Sequence, residues 1–95
     1  KRLEKVERSD PFHQFLLAME YEKQGDGTRA AQHYLRAIKL HANEHRFYFG
    51  LARAYLLNHD LRRARRALER AISLASDEPT RASYQATLEQ WRASP

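Results

Sequence analysis

The densest reactive chemistry in this chain is guanidinium. Arg62, Arg63, Arg65 and Arg66 stand almost shoulder to shoulder, with Arg70 one helical turn further on, and only Asp60 and Glu69 oppose them between positions 60 and 70. Each guanidinium presents a planar fork to the oxygens of a phosphate or carboxylate, which makes Arg62, Arg63, Arg65 and Arg66 a candidate basic face for an acidic partner. The same order of residues, two arginines, Ala64, two arginines, then Ala67 and Leu68, also describes a solvated face wrapped around a narrow buried stripe. Glu69 follows Arg65 by four residues and Arg66 by three, so part of the charge is expected to be balanced locally. No aromatic residue interleaves with these arginines along the chain. A stacking platform for bases is therefore missing, and nucleic acid is not the expected partner.

Other reactive groups form no constellation. His13, His33, His41, His45 and His59 are scattered, and only His41 and His45 have the i, i+4 spacing of a metal pair. Those two straddle a helix boundary, with Ala42, Asn43 and Glu44 between them, so a shared helix face and a bound metal are not expected. Gly25-Asp26-Gly27 lacks the strand, the glycine spacing and the lysine of a phosphate-cradling loop. No serine or carboxylate sits in a pattern that would put a nucleophile beside a base and an orienting group. Neither catalysis nor a cofactor is expected.

The elements that carry these residues are helices. Asp10 before Pro11 marks a helix start, and a helix is predicted from about Pro11 to Gln24, broken by Gly25-Asp26-Gly27. Thr28 is predicted to cap a second helix, which carries Ala30, Tyr34, Ala37, Ile38 and Leu40 at helical spacing. A second pair follows, from about His45 to Leu57 and from about Leu61 to Ala75, joined by Asn58-His59-Asp60. Ser76-Asp77-Glu78-Pro79 then restarts a helix that runs to about Arg92. Tyr84, Leu88 and Trp91 form one apolar stripe on it, with Arg81, Gln85, Glu89 and Arg92 on another face.

The two pairs are copies of one unit. A shift of 34 residues lays Phe15 on Phe49, Leu17 on Leu51, Ala18 on Ala52, Tyr21 on Tyr55, Asp26 on Asp60 and Arg29 on Arg63. It also matches Ala30 to Ala64, Arg36 to Arg70, Ala37 to Ala71, Ile38 to Ile72, Leu40 to Leu74 and Glu44 to Glu78. A fixed period of this length signals stacked helical units, in which each repeat buries its apolar face against its neighbours. Arg2, Leu3, Val6 and Asp10 fall 34 residues before Arg36, Ala37, Leu40 and Glu44, so residues 1–10 are read as the end of a truncated upstream helix or a linker.

This pattern resembles the tetratricopeptide repeats. Ala18, Tyr21, Gly25-Asp26, Ala30, Tyr34 and Ala37 fit the family pattern in unit one, and Ala52, Tyr55, Asp60, Ala64, Leu68 and Ala71 fit it in unit two. The chain departs from it where Ala42 and Ser76 replace the usual proline between repeats. Gln14 replaces the usual early aromatic of the first helix, which Tyr48 supplies in unit two. The resemblance implies an all-α right-handed superhelix of antiparallel helix pairs, an α-solenoid. It would comprise repeat 1 at 11–44, repeat 2 at 45–78 and a capping helix at 79–92.

The resemblance also implies a protein–protein interaction or scaffolding module of a larger protein, binding a peptide or partner helix on the concave side. Carried over by position, the lining residues are Phe12, Phe15, Met19, Glu22 and Lys23 on the first helix, and Arg46, Phe49, Arg53, Leu56 and Leu57 on the third. Phe12, Phe15, Met19 and Phe49 would anchor apolar side chains, and Arg46 and Arg53 would orient an acidic group. Burial of the Phe12–Phe15–Met19 stripe inside the protein is the competing reading. The clamp by which some family members hold a chaperone's C-terminal carboxylate maps onto Phe15, Met19, Gly50, Thr80 and Tyr84, which supply no matching charge or amide.

Bulk properties agree with one small domain. Ninety-five residues with net charge +5 and no cysteine leave no room for a second core and exclude disulfides and thiolate metal sites. No apolar run approaches the roughly 20 residues of a membrane span, and no signal-like segment is present, so membrane insertion is not expected and no compartment is indicated. The alanine and arginine richness suits a bacterial source with a GC-rich genome. An array cut before its first unit would expose an apolar end, which a second copy could cover to give a homodimer.

Overall fold

Carboxylates start every helix of the fold. The computed structural model of the chain describes residues 10–93, which form α1 Pro11–Lys23, α2 Gly27–Leu40, α3 His45–Leu57, α4 Leu61–Leu74 and α5 Glu78–Ala93, with no strand among the described residues. Asp10 accepts from the Phe12 backbone N–H at 2.9 Å, Asp26 from Arg29 at 3.0 Å, Glu44 from Arg46 at 3.3 Å, Asp60 from Arg63 at 3.2 Å and Asp77 from Thr80 at 3.3 Å. Each bond satisfies an orphan amide of a first turn. Thr28 was expected to cap α2, but Asp26 does so and Gly27 is already helical. A carboxylate accepts the amide hydrogen bond more strongly than a hydroxyl, and it favours the positive end of the helix dipole.

Both turns within a repeat have the same geometry. The Asp26 N–H bonds to the Tyr21 carbonyl and the Asp60 N–H to the Tyr55 carbonyl, each closing the end of the preceding helix. The residue before each aspartate must be left-handed, and it is Gly25 at φ +79° in the first turn but His59 at φ +60° in the second. A Cβ at Gly25 would meet nothing within 4 Å, so this position is decided by backbone conformation alone. His59→Gly is accordingly expected to raise stability by about 0.5–1 kcal/mol, and urea unfolding of the two chains checks it.

Each helix packs on the next in sequence, and α1 also reaches α3. The core is built from the positions that the 34-residue shift equates. Ala18 and Ala52, Ala30 and Ala64, Tyr34 and Leu68, and Ala37 and Ala71 are all fully buried. The methyl side chains let the two helices of a pair approach closely, and a larger residue on the second helix fills the space between pairs.

The junctions between units solve the same volume problem in opposite ways. Between repeats 1 and 2 the large residue is Tyr34 of α2, and Gly50 of α3 gives it room. A Cβ at Gly50 would lie 2.3 Å from the Tyr34 ring. At the equivalent register of the next junction the sizes are reversed, Leu68 on α4 and Tyr84 on α5, both buried. The α3 face turned to repeat 1 carries Phe47, Gly50, Leu51 and Ala54, all buried. On α1 the same positions hold His13, Leu16, Leu17 and Glu20, and Leu16 is 62% exposed. With Leu16 and Glu20 in place of glycine and alanine, α1 cannot approach an upstream helix as closely as α3 approaches α2. The reading of residues 1–10 as the end of such a helix or a linker falls on residues 1–9, which lie outside the described residues.

Candidate functional site

The α1–α3 face carries an aromatic ladder with cations laid over it. Phe12 meets Phe47 edge-on with ring centroids 5.1 Å apart, and Phe15 lies 5.3 Å from Phe47 and 5.8 Å from Tyr34. The Arg46 guanidinium sits 5.1 Å above the Phe12 ring, and that of Arg53 sits 4.9 Å above Phe49. Such pairs add modestly to stability where the ring is partly wet. Phe12, Met19 and Leu56 keep 39%, 36% and 36% of their surface exposed, while Phe15 and Phe49 are half-buried and packed against the core. Within the Phe12–Phe15–Met19 stripe, Phe15 leans inward and the two flanking side chains keep exposed surface.

Arg53 has an internal partner. Its Nε donates to Glu22 Oε2 at 2.6 Å and its Nη2 to Glu22 Oε1 at 3.1 Å, a two-pronged pair across the repeat boundary. The Tyr34 hydroxyl donates to Glu22 Oε1 at 2.6 Å and accepts from Arg53 Nη2 at 3.2 Å. Burial, reinforced by the adjoining Glu22 carboxylate, pushes the Tyr34 phenol well above its ordinary range, so it remains a donor to Glu22. Burial works against the Arg53 charge, but Glu22 more than offsets it and its pKa rises. Met19, Glu22, Lys23 and Arg53 line a depression of about 320 Å³ at this point.

Arg46 is also engaged, donating from Nε to Glu44 Oε2 at 2.8 Å and from Nη2 to Oε1 at 3.2 Å. The hydrogen bond from Arg46 holds the Glu44 carboxyl below its ordinary range, ahead of the opposing effect of burial. Each arginine assigned from sequence to an incoming acid therefore holds a carboxylate of its own chain. Beyond them, Phe49 stacks on Tyr84 of α5 at 4.5 Å, and the Tyr84 hydroxyl pairs with His45 Nδ1 at 2.8 Å. The sequence places Tyr84 on an apolar stripe and at a clamp position, and gives no sign of its pairing with Phe49 and His45. Thr80, Ser83 and Thr87 occupy the register of Arg46, Phe49 and Arg53, so a polar helix continues the face.

The basic residues separate in space. Arg63, Arg66 and Arg70 line a groove with Tyr48 and Tyr55 of α3, while Arg62 and Arg65 are not part of it. Tyr48 and Tyr55 are the aromatic companions that the linear sequence of α4 lacks. Glu69, expected to balance Arg65 and Arg66, instead accepts from Arg92 of α5 at 3.4 Å. His41 lies edge-on to Phe47, with centroids 6.4 Å apart, and no cluster able to hold a metal occurs among the described residues. No described helix is long and apolar enough to cross a membrane.

A comparison with curated proteins returns no match. A family model for the tetratricopeptide repeat matches residues 21–90, from the end of α1 through α2, α3 and α4 and most of α5. The helix pairs of 34-residue period, the small residues where paired helices meet and the fifth helix on the last pair agree with it: the chain belongs to the tetratricopeptide repeat family.

Proposed function

We propose that this protein-interaction module takes an apolar peptide or a partner helix on the face built by α1 and α3. The observation that carries the reading is the partial exposure of Phe12, Met19 and Leu56 on two adjacent helices beside half-buried Phe49. Large apolar side chains gathered on one face, flanked by charge, are the usual make-up of a binding surface. Phe12, Phe15, Met19, Phe49 and Leu56 supply the apolar contact. Arg46 and Arg53 edge it, and a partner's carboxylate meets Arg53 by sharing it with Glu22. Glu22 thus sets a preference for partners that bring bulky apolar groups over those that bring acid alone.

Met19→Glu combined with Leu56→Glu tests the reading, because both side chains face solvent and neither holds the core. Partners are captured with the wild-type domain and their affinity is measured by calorimetry. The double variant should weaken binding about a hundredfold or more, at an unchanged melting temperature. Undiminished affinity would remove this face from consideration.

A further inference from the structure

The two repeats also differ in the outer groove between paired helices. In repeat 1 the middle of this groove is filled, and only its far end, a depression of about 520 Å³ lined by Gln14, Arg36, Lys39 and Leu40, stays open. His33 of α2 stacks on Tyr21 of α1, centroids 5.3 Å apart and planes 15° from parallel, and its Nδ1 pairs with the buried Gln14 Oε1 at 2.7 Å. In repeat 2 the counterpart of His33 is Ala67, and that of Gln14 is Tyr48. Without the imidazole a groove of about 300 Å³ stays open, with Leu51 and Ala67 as apolar floor, Tyr48 and Tyr55 on one side and Arg63, Arg66 and Arg70 on the other. At 100° per residue Tyr48, Leu51 and Tyr55 lie on the side of α3 opposite Arg46, Phe49 and Arg53, so this groove is separate from the α1–α3 face.

Its charge is largely uncompensated. Arg63 is tied to Asp60 at 3.1 Å, and Glu69 is drawn to Arg92. Among the described residues no carboxylate pairs with Arg66 or Arg70. Arg63, Arg66 and Arg70 fall at i, i+3 and i+7, so their forks are spread along about 10 Å of one helix face. We infer that this groove is a second docking site, which receives an acidic amphipathic helix of a partner protein. The occupant's carboxylates, repeating at i, i+3 or i+4 and i+7, meet the arginines, and an apolar side chain between them drops onto Leu51 and Ala67.

Two observations favour a protein helix over nucleic acid. The Arg70 guanidinium lies 5.8 Å over the Tyr48 ring and takes up one of its faces, which reduces the surface open to a stacking base. The floor, Leu51 and Ala67, is apolar, which suits an aliphatic side chain. Repeat 1 keeps Arg29 and Arg36 at the positions of Arg63 and Arg70, but His33 fills the stretch between Tyr21 and Gln14, and Gln32 stands for Arg66. The pairing with a row of three arginines is therefore expected at repeat 2.

The test uses the whole chain and a fluorescent 15-residue helical peptide carrying Glu at i, i+4 and i+7 with Leu between, at physiological salt. An oligothymidylate of equal charge runs in parallel. Tyr48→Gln with Ala67→His installs the plug of repeat 1 and leaves every arginine in place, and Arg66→Gln installs its neutral residue. The inference expects the peptide to bind, both variants to weaken it about tenfold or more, and the oligonucleotide to bind more weakly than the peptide. Amide shifts of the wild-type chain should cluster at Tyr48, Arg66, Ala67 and Arg70, a readout independent of whether the variants fold. No peptide binding, an unchanged affinity in a folded plugged variant, oligonucleotide binding as tight as the peptide, or shifts confined to the α1–α3 face would each overturn it.

Discussion

Phe47→Ala should destabilise the fold by about 3–5 kcal/mol, the usual loss when a fully buried aromatic is cut back to a methyl. Phe47 has no exposed surface and joins three elements, meeting Phe12 and Phe15 of α1 and His41 at the end of α2. Its removal opens a cavity where repeat 2 rests on repeat 1, and the surrounding backbone is helical and cannot collapse into it. A domain of this size is stable by about 5–15 kcal/mol in total, so most of the margin would go. Urea unfolding followed by circular dichroism gives the number. A loss under about 1 kcal/mol would mean that the inter-repeat contact does not depend on this ring.

Gly50→Ala should also be costly, although alanine is the better helix former by about 1 kcal/mol. The added Cβ would stand 2.3 Å from one Tyr34 ring carbon and 2.4 Å from another. That ring is fully buried, and its hydroxyl is fixed between Glu22 and Arg53. To make room, the tyrosine must give up those bonds or α3 must move away from α2. A net loss of about 2–3 kcal/mol is expected after the helix gain is counted. The cause is specific enough to be cancelled. Tyr34→Leu, which places the residue of repeat 2 in repeat 1, should make Gly50→Ala nearly harmless, with a coupling of more than about 1 kcal/mol between the two changes. Additive losses would show that Gly50 serves something other than the tyrosine ring.

The Glu22–Arg53–Tyr34 group also bears on how the α1–α3 face can be probed. Replacing Arg53 would leave the partly buried Glu22 carboxylate without its cation, and replacing Phe49 would uncover Tyr84. Loss of partner binding in either variant would mix damage to the fold with damage to the surface. Met19 and Leu56 avoid this, since neither side chain forms a hydrogen bond and both are more than a third exposed.

The repeat period, the two helix pairs, their approximate limits and the small-residue seams were determined by the sequence alone. They depend on local rules: glycine and aspartate end and start helices, and 3.6-residue periodicity shows which side is apolar. Phe47 was also legible, since Phe47, Gly50, Leu51 and Ala54 fall at i, i+3, i+4 and i+7, one buried face of α3. Comparison of the repeats hid it, because its counterpart is His13. What only the tertiary structure decided are the pairings across helices. Glu22 and Arg53 are 31 residues apart, His45 and Tyr84 are 39, and Tyr48 lies 22 residues before Arg70. No local pattern encodes such partners: Glu22–Arg53 and His45–Tyr84 depend on how each unit seats on the next, where Tyr34 meets Gly50 and Leu68 and Tyr84 are buried, and Tyr48–Arg70 depends on how the two helices of one pair close. An arginine that looks free along the chain can thus be bound in the fold, and a helix with no aromatics of its own can acquire two from its neighbour.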